Sequence, residues 1–225
     1  MKDNVYRKAL KEYIGDEGDF QFELAPLSSF PQDMPVAWKE FLSADDPVKG
    51  ILEKLWYPWR DLLPQTIAEL EQKLRFIGLL QTQEIPFSLI YGFECDDGES
   101  TFNRGFPCRL IEREEAKVLT PDFLNIYKIH NGWTDIHGFA GPMRSEEWFD
   151  LTAIFDGVYS DAIPGVRLED FLVICDSGGT GYLGYDLSKS PPVGLECFFN
   201  EPVEVVPDVV RALDELMAVQ LHDLT

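Results

Sequence analysis

Apolar positions recur along this chain with two alternating periods, and the switches between them mark out its elements. Near the N-terminus Val5, Ala9, Leu10 and Tyr13 fit a short amphipathic helix ended by Gly15, after which Phe20, Phe22 and Leu24 alternate with polar residues as in a half-buried strand. Pro26, Pro31 and Pro35 punctuate a loop, and Trp38, Phe41 and Leu42 predict a helical turn over 36–43. Between 47 and 63, Leu52, Leu55, Trp56, Trp59 and Leu63 share one helical face. Pro58 interrupts it and should kink or break the helix near Tyr57, because proline removes an amide donor and clashes with the preceding turn. From Pro64 the stripe Ile67, Leu70, Leu74 and Ile77 predicts a helix that stops at Gly78.

The spacing predicts a strand over 86–93, an acidic loop of Glu94, Asp96, Asp97 and Glu99, a shorter strand over 106–111 and a solvated turn at 112–115. Thr120-Pro121 is a helix start, since Thr can cap and Pro is preorganised for the first turn. Phe123, Ile126, Tyr127 and His130 then share a face, and Gly132 can take the left-handed conformation that closes it. Ser145-Glu-Glu opens another helix, with Trp148, Leu151, Thr152 and Phe155 inward. Strands follow at 171–175, 182–187 and 193–199, and a closing helix runs from Pro207 to Gln220 on Val209, Leu213, Leu216 and Met217. The pattern implies an α+β fold, a single twisted and mainly antiparallel sheet flanked by helices. Residues 1–63 form an N-terminal extension packing on a domain of residues 64–225.

Composition adds a direction to this picture. Of 225 residues 45% are hydrophobic, with sixteen Phe and five Trp, which suits a packed core rather than a disordered chain. Forty acidic against 19 basic residues leave a net charge of −21. Such a surface repels nucleic acid and anionic membranes and attracts basic proteins, so a protein partner is expected and neither a nucleic acid nor a membrane is. Cys95, Cys108, Cys175 and Cys197 make no Cys-x-x-Cys pair and no metal spacing with histidine, which implies reduced thiols and no bound metal or cofactor. The N-terminal residues lack the pattern of a leader, and no run reaches the length of a spanning helix; a cytoplasmic protein is expected.

The segment Asp176-Ser-Gly-Gly-Thr-Gly181 imitates three chemistries. A serine nucleophile would need an upstream His and Asp on their own strands, and only His130 and His137 lie upstream. A phosphate loop would need a following helix, and here a strand follows. Calcium would need a bidentate Glu at suitable distance. The plain reading is a hairpin turn in which glycine supplies positive φ and Asp176 bonds nearby amides. His130 and His137 lie seven apart with Asp135 between, yet Gly132 breaks the register, and a histidine on an apolar stripe is more often packed than catalytic. No catalytic residue is assigned. For Trp56, Trp59 and Trp133, burial is the plainer reading and interface anchoring the sharper one.

One order of segments goes further. A helix ending in Asn131-Gly132 precedes a strand with an acidic-glycine turn at Asp176, Gly178 and Gly179, then a strand ending in Asp186, then the helix from Pro207. This order resembles the SUKH superfamily of bacterial immunity proteins and fungal cell-wall regulators. It departs from the family pattern in the forty residues between Gly78 and Thr120 and in Trp133 after the Asn-Gly. The resemblance implies a non-catalytic binding domain whose bacterial members block a cognate toxin. Together with the charge, it suggests an immunity protein that meets a basic, nuclease-type toxin through Glu94, Asp96, Asp97, Glu99, Trp133 and Asp135. The alternatives are a regulatory scaffold of the same fold without a toxin, or a hydrolase using His130 or His137.

Overall fold

The structure, a computed structural model, describes residues 2–14, 20–94, 100–155, 166–178, 181–198 and 203–222. Helix α1 (Lys2–Ile14) leads to strand β1 (Gln21–Leu24), helices α2 (Val36–Leu42) and α3 (Pro47–Ile51), and a π-helical turn at Leu52–Trp56. A 3-10 turn holds Pro58 where the helix was expected to break. Helix α4 (Pro64–Lys73), strands β2 (Leu74–Gln81), β3 (Ser88–Glu94) and β4 (Ser100–Gly105), helix α5 (Pro121–Ile126) and strands β5 (Trp133–Asp135), β6 (Gly141–Pro142) and β7 (Phe149–Asp150) follow. The chain then builds helix α6 (Thr152–Phe155), strands β8 (Phe171–Asp176), β9 (Gly181–Asp186), β10 (Val193–Phe198) and β11 (Glu204–Val206), and helix α7 (Val209–His222).

The fold is α+β with antiparallel strands and flanking helices, as the pattern implied, but the strands divide between two sheets rather than joining one. The first runs β1-β2-β3-β4-β5 and the second β11-β10-β9-β8-β6, with β7 also on β8. Twisted sheets of this many strands commonly split into layers. The split falls at the turn after β5, where Asp135 Oδ1 accepts from the amides of His137 and Phe139 (both 2.9 Å) and redirects the chain onto β8.

Alternation distributes each sheet's two faces. Leu79, Leu89, Tyr91 and Phe93 of the first sheet and Leu172, Ile174, Leu183 and Tyr185 of the second join one large core with α4, α5 and α7. The opposite faces bury two smaller clusters: Phe76, Leu80, Ile90 and Phe102 under Tyr6, Leu10 and Ile14 of α1, and Phe171, Val173, Tyr182 and Leu195 around Leu151. Residues 27–63 contribute Trp38, Phe41, Ile51, Trp56 and Leu63 to the large core, and β1 pairs with β2, so the N-terminal extension is built into the same body.

Four elements differ from expectation. The helix from Thr120-Pro121 ends at Ile126 with Tyr127 as its C-cap, so His130 lies beyond it and Gly132 does not close it. The helix from Pro64 ends at Lys73, and Leu74–Gln81 is a strand; because both its faces are buried, its apolar run mimicked a helical stripe through Leu74 and Ile77. The strand expected at 106–111 lies earlier, at Ser100–Gly105, and the chain leaves the sheet at Pro107, which cannot donate to a ladder. The helix expected from Ser145 is a single 3-10 turn, ended by Trp148 at ψ 137°, and then β7.

Candidate functional site

His130 is sealed inside the large core, 2% exposed. Trp38, Trp56 and Tyr91 surround its ring edge to face, at centroid distances of 5.7, 6.1 and 5.6 Å. Its Nδ1 lies 3.0 Å from the Phe106 carbonyl, which can only accept, so Nδ1 carries the proton and Nε2 is bare. The Tyr91 hydroxyl, 2.6 Å from Nε2, therefore donates to it, and Trp56 Nε1 donates to the same hydroxyl (3.1 Å). Gly105 makes room for this chain, since a Cβ there would sit 2.6 Å from the imidazole. Burial pushes the His130 pKa down to about 3, against the modest upward pull of its bond to Phe106, so the ring is neutral at physiological pH. Burial likewise holds the Tyr91 hydroxyl well above its ordinary value.

Asn131 and Gly132 fasten the next segment. Asn131 Oδ1 accepts from the backbone amide (3.1 Å) and hydroxyl (2.8 Å) of Ser145, and its Nδ2 donates to Glu146 Oε2 (2.7 Å). Gly132 sits at φ +93°, and a Cβ there would meet the Arg144 amide at 2.7 Å. Asp176 accepts from the amide of Gly178 (2.9 Å), and Ser177 Oγ donates to the Gly181 carbonyl (2.9 Å), closing the turn between β8 and β9. Asp186, 4% exposed, accepts from the amide and hydroxyl of Ser188 (2.9 and 2.6 Å). Each of these motif positions holds a turn; Gly179 lies outside the described residues.

The expected contact residues fare unequally. Trp133 is 1% exposed, packed edge to face on Trp56 and Tyr91 at 5.5 and 6.0 Å, so it fills the core and cannot anchor a partner. Asp135 is half-buried and committed to the turn already described. Glu94 is exposed at the end of β3 and accepts from Tyr6 Oη (3.0 Å). Asp96, Asp97 and Glu99 lie outside the described residues. His137 lies on the exposed side of its turn while His130 is enclosed, so the two do not form one site. Among the described residues no group of three His, Cys, Asp or Glu is placed to hold a metal ion, and no helix is long and apolar enough to cross a membrane.

Two features escaped the sequence reading. Asp214, 1% exposed within the apolar stripe of α7, accepts from the amides of Gln65 (3.0 Å) and Thr66 (2.8 Å) and thereby caps α4 from a distant segment. At the other end of α4, Lys73 donates to the carbonyls of Leu221 and His222 that close α7 (both 2.8 Å). The second feature is the end of the second sheet, where among the described residues no further strand pairs with β11. Strand β11 ends that sheet, Val205 on it is 66% exposed, and Glu196 of β10 stands directly opposite Glu204 of β11. Like charges opposed on neighbouring strands repel. Burial pushes the Glu196 carboxyl above its usual range, and Glu204 and Glu215 of α7 add to the shift. The Glu204-Val-Val run between Pro202 and Pro207 was the available signal for this strand.

Comparison of the chain with protein-family models, with curated proteins and with solved structures finds no match.

Proposed function

We propose that this chain is a non-catalytic protein that acts by stoichiometric binding, as an immunity-type protein neutralising a basic, nuclease-type toxin in the cytoplasm. One contrast carries the reading. The groups that could do chemistry around His130, Asn131 and Asp176 are taken up in holding the interior and its turns, whereas the Glu196–Glu204 edge sets two carboxylates against each other at a strand edge. A basic partner that docks there relieves the repulsion it finds, and the net charge of −21 draws that partner in. Edge backbone groups of β11 add directional hydrogen bonds to the charge attraction.

The partner to test is the protein encoded beside this one. Its binding is measured by calorimetry at 50 and 300 mM salt, with wild type and with Glu196→Lys/Glu204→Lys. The expected result is a one-to-one complex that weakens about ten-fold or more over that salt range, and a comparable loss in the double variant. A neighbour that is not basic, or a complex indifferent to salt and to both substitutions, overturns the reading.

A further inference from the structure

A second surface has the opposite character. Residues 100–128 carry five basic side chains (Arg104, Arg109, Arg113, Lys117, Lys128) against four acidic ones (Glu112, Glu114, Glu115, Asp122), a balance of 5 − 4 = +1. Residues 129–225 carry four basic against seventeen acidic, 4 − 17 = −13. The basic side chains converge. Between the end of β4 and helix α5 lies an open groove of about 520 Å³. Leu110, Ile111, Ala116 and Leu124 give it apolar walls, and four cations line it, Arg109, Arg113, Lys117 and Lys128, against the single carboxylate of Glu112. Leu110 is 84% exposed, and Val118, beside the 3-10 turn that carries Lys117, is 52% exposed. Among the described residues neither side chain is covered by packing.

The cations are differently held. Arg113 is fixed by Glu115 (2.7 Å) and by the Trp148 carbonyl (2.5 Å), and serves as a wall. Arg109 pairs with Glu146 at 3.3 Å and Lys117 with Glu114 at 2.5 Å, all four side chains being substantially exposed. Such pairs stabilise little and exchange partners readily. Lys128 bonds the amide oxygen of Asn125 (2.7 Å) and has no carboxylate partner among the described residues. Three cations are thus within easy reach of an incoming anion, around an apolar floor.

We infer that this groove binds a short acidic peptide segment of a partner protein, one apolar side chain seated against Leu110, Ile111 and Leu124 and its flanking carboxylates on Arg109, Lys117 and Lys128. Charge complementarity selects the occupant: a chain of −21 repels acidic ligands over the rest of its surface and admits them here. The pairing of an exposed leucine with exposed cations calls for a ligand that carries both apolar and anionic groups, which a free phosphate does not.

The inference stands apart from the sheet edge, and its test separates the two. A random peptide library displayed on phage is selected on the full chain, and a labelled synthetic copy of a recovered peptide is titrated by fluorescence anisotropy. Recovered peptides should place Asp or Glu beside Leu, Ile or Phe. Arg109→Glu/Lys117→Glu/Lys128→Glu should weaken the labelled peptide at least ten-fold, Leu110→Ser several-fold, and Glu196→Lys/Glu204→Lys not at all. All these positions are exposed or half-buried, and circular dichroism and melting temperature check that each variant folds. Recovery of basic peptides, failure to recover any, or equal binding by the triple variant overturns the inference. So does a dimer in sedimentation velocity that the triple variant abolishes, because the occupant is then a second copy of this chain.

Discussion

The Tyr91–His130 interior and the Glu196–Glu204 edge use polarity in opposite ways. In the interior one hydrogen-bond direction runs from Trp56 through Tyr91 and His130 to the Phe106 carbonyl, each donor meeting an acceptor, in a site closed to water. At the edge two carboxylates face each other across a strand pair, and Glu215 stands near them. Satisfied burial fixes structure and leaves no group for an outside molecule; unsatisfied charge at an edge weakens the fold slightly and leaves something for a partner to complete. On the proposed binding function, this difference puts the docking surface at the edge and not at Asn131, Asp176 or Asp186.

The largest expected effect sharpens the interior side. His130 has a folded pKa of about 3 against an ordinary 6.5. Between those values the unfolded chain binds more protons than the native one, so stability is complete above about pH 6.5 and is lost as pH falls toward 3. At about 1.4 kcal/mol per pH unit, roughly 3 kcal/mol disappears by pH 4. Urea unfolding at pH 7, 6, 5 and 4 measures it, with His130→Gln as control: the variant is weaker at pH 7, and its stability should decline less steeply with acid. Parallel declines would mean that the imidazole is not the group responsible.

Tyr91→Phe comes next. It removes one oxygen but strands both the Trp56 indole N–H and His130 Nε2, so a loss of about 2 kcal/mol is expected from chemical denaturation at pH 7. A loss near zero would show that this hydroxyl does not link the two rings.

How far these features were legible follows from their range along the chain. Thr120 caps α5 through its own hydroxyl, accepting from the Phe123 amide (3.4 Å), and Pro58 ends a helix locally; both are visible in a few residues. His130 was readable as packed from its place on an apolar stripe, although its partners Tyr91 and Trp56 were not, being supplied by remote segments. The strand nature of Leu74–Gln81 was hidden because burial on both faces erases the alternation that identifies a strand. The split into two sheets depends on a turn whose Asp135 bonds look, in sequence, like any acidic loop. For Trp133 the sequence offers burial as the plainer reading and interface anchoring as the sharper one, and the choice depends on Trp56 and Tyr91, which remote segments supply.

Asp214 extends the contrast to a buried carboxylate that is fully answered. Replacing it by Ala leaves the Gln65 and Thr66 amides at the start of α4 without acceptors, while Leu63 before them supplies no side-chain cap. A loss of about 1–2 kcal/mol is expected, and faster hydrogen exchange at the first turn of α4 would assign it to that end. Unchanged exchange there would place the effect elsewhere.

The smallest effect has the opposite sign and bears on the edge alone. Glu196→Gln removes one of the two opposed carboxylates but keeps shape and hydrogen-bonding capacity. Because burial and the neighbouring charges raise the Glu196 pKa, the native state holds that proton more firmly than the unfolded chain does. The edge is therefore most stable when the carboxyl is protonated and weakens as pH rises through its raised range. The neutral variant should gain about 0.5 kcal/mol at pH 7, the scale of one cross-strand charge pair, and this gain should shrink as pH is lowered. It should at the same time bind a basic partner more weakly. A substitution that stabilises the free protein while weakening its complex is the mark of charge kept for association. If Glu196→Gln destabilises the chain, the opposed carboxylates serve the fold, and the edge loses its claim to be the docking surface.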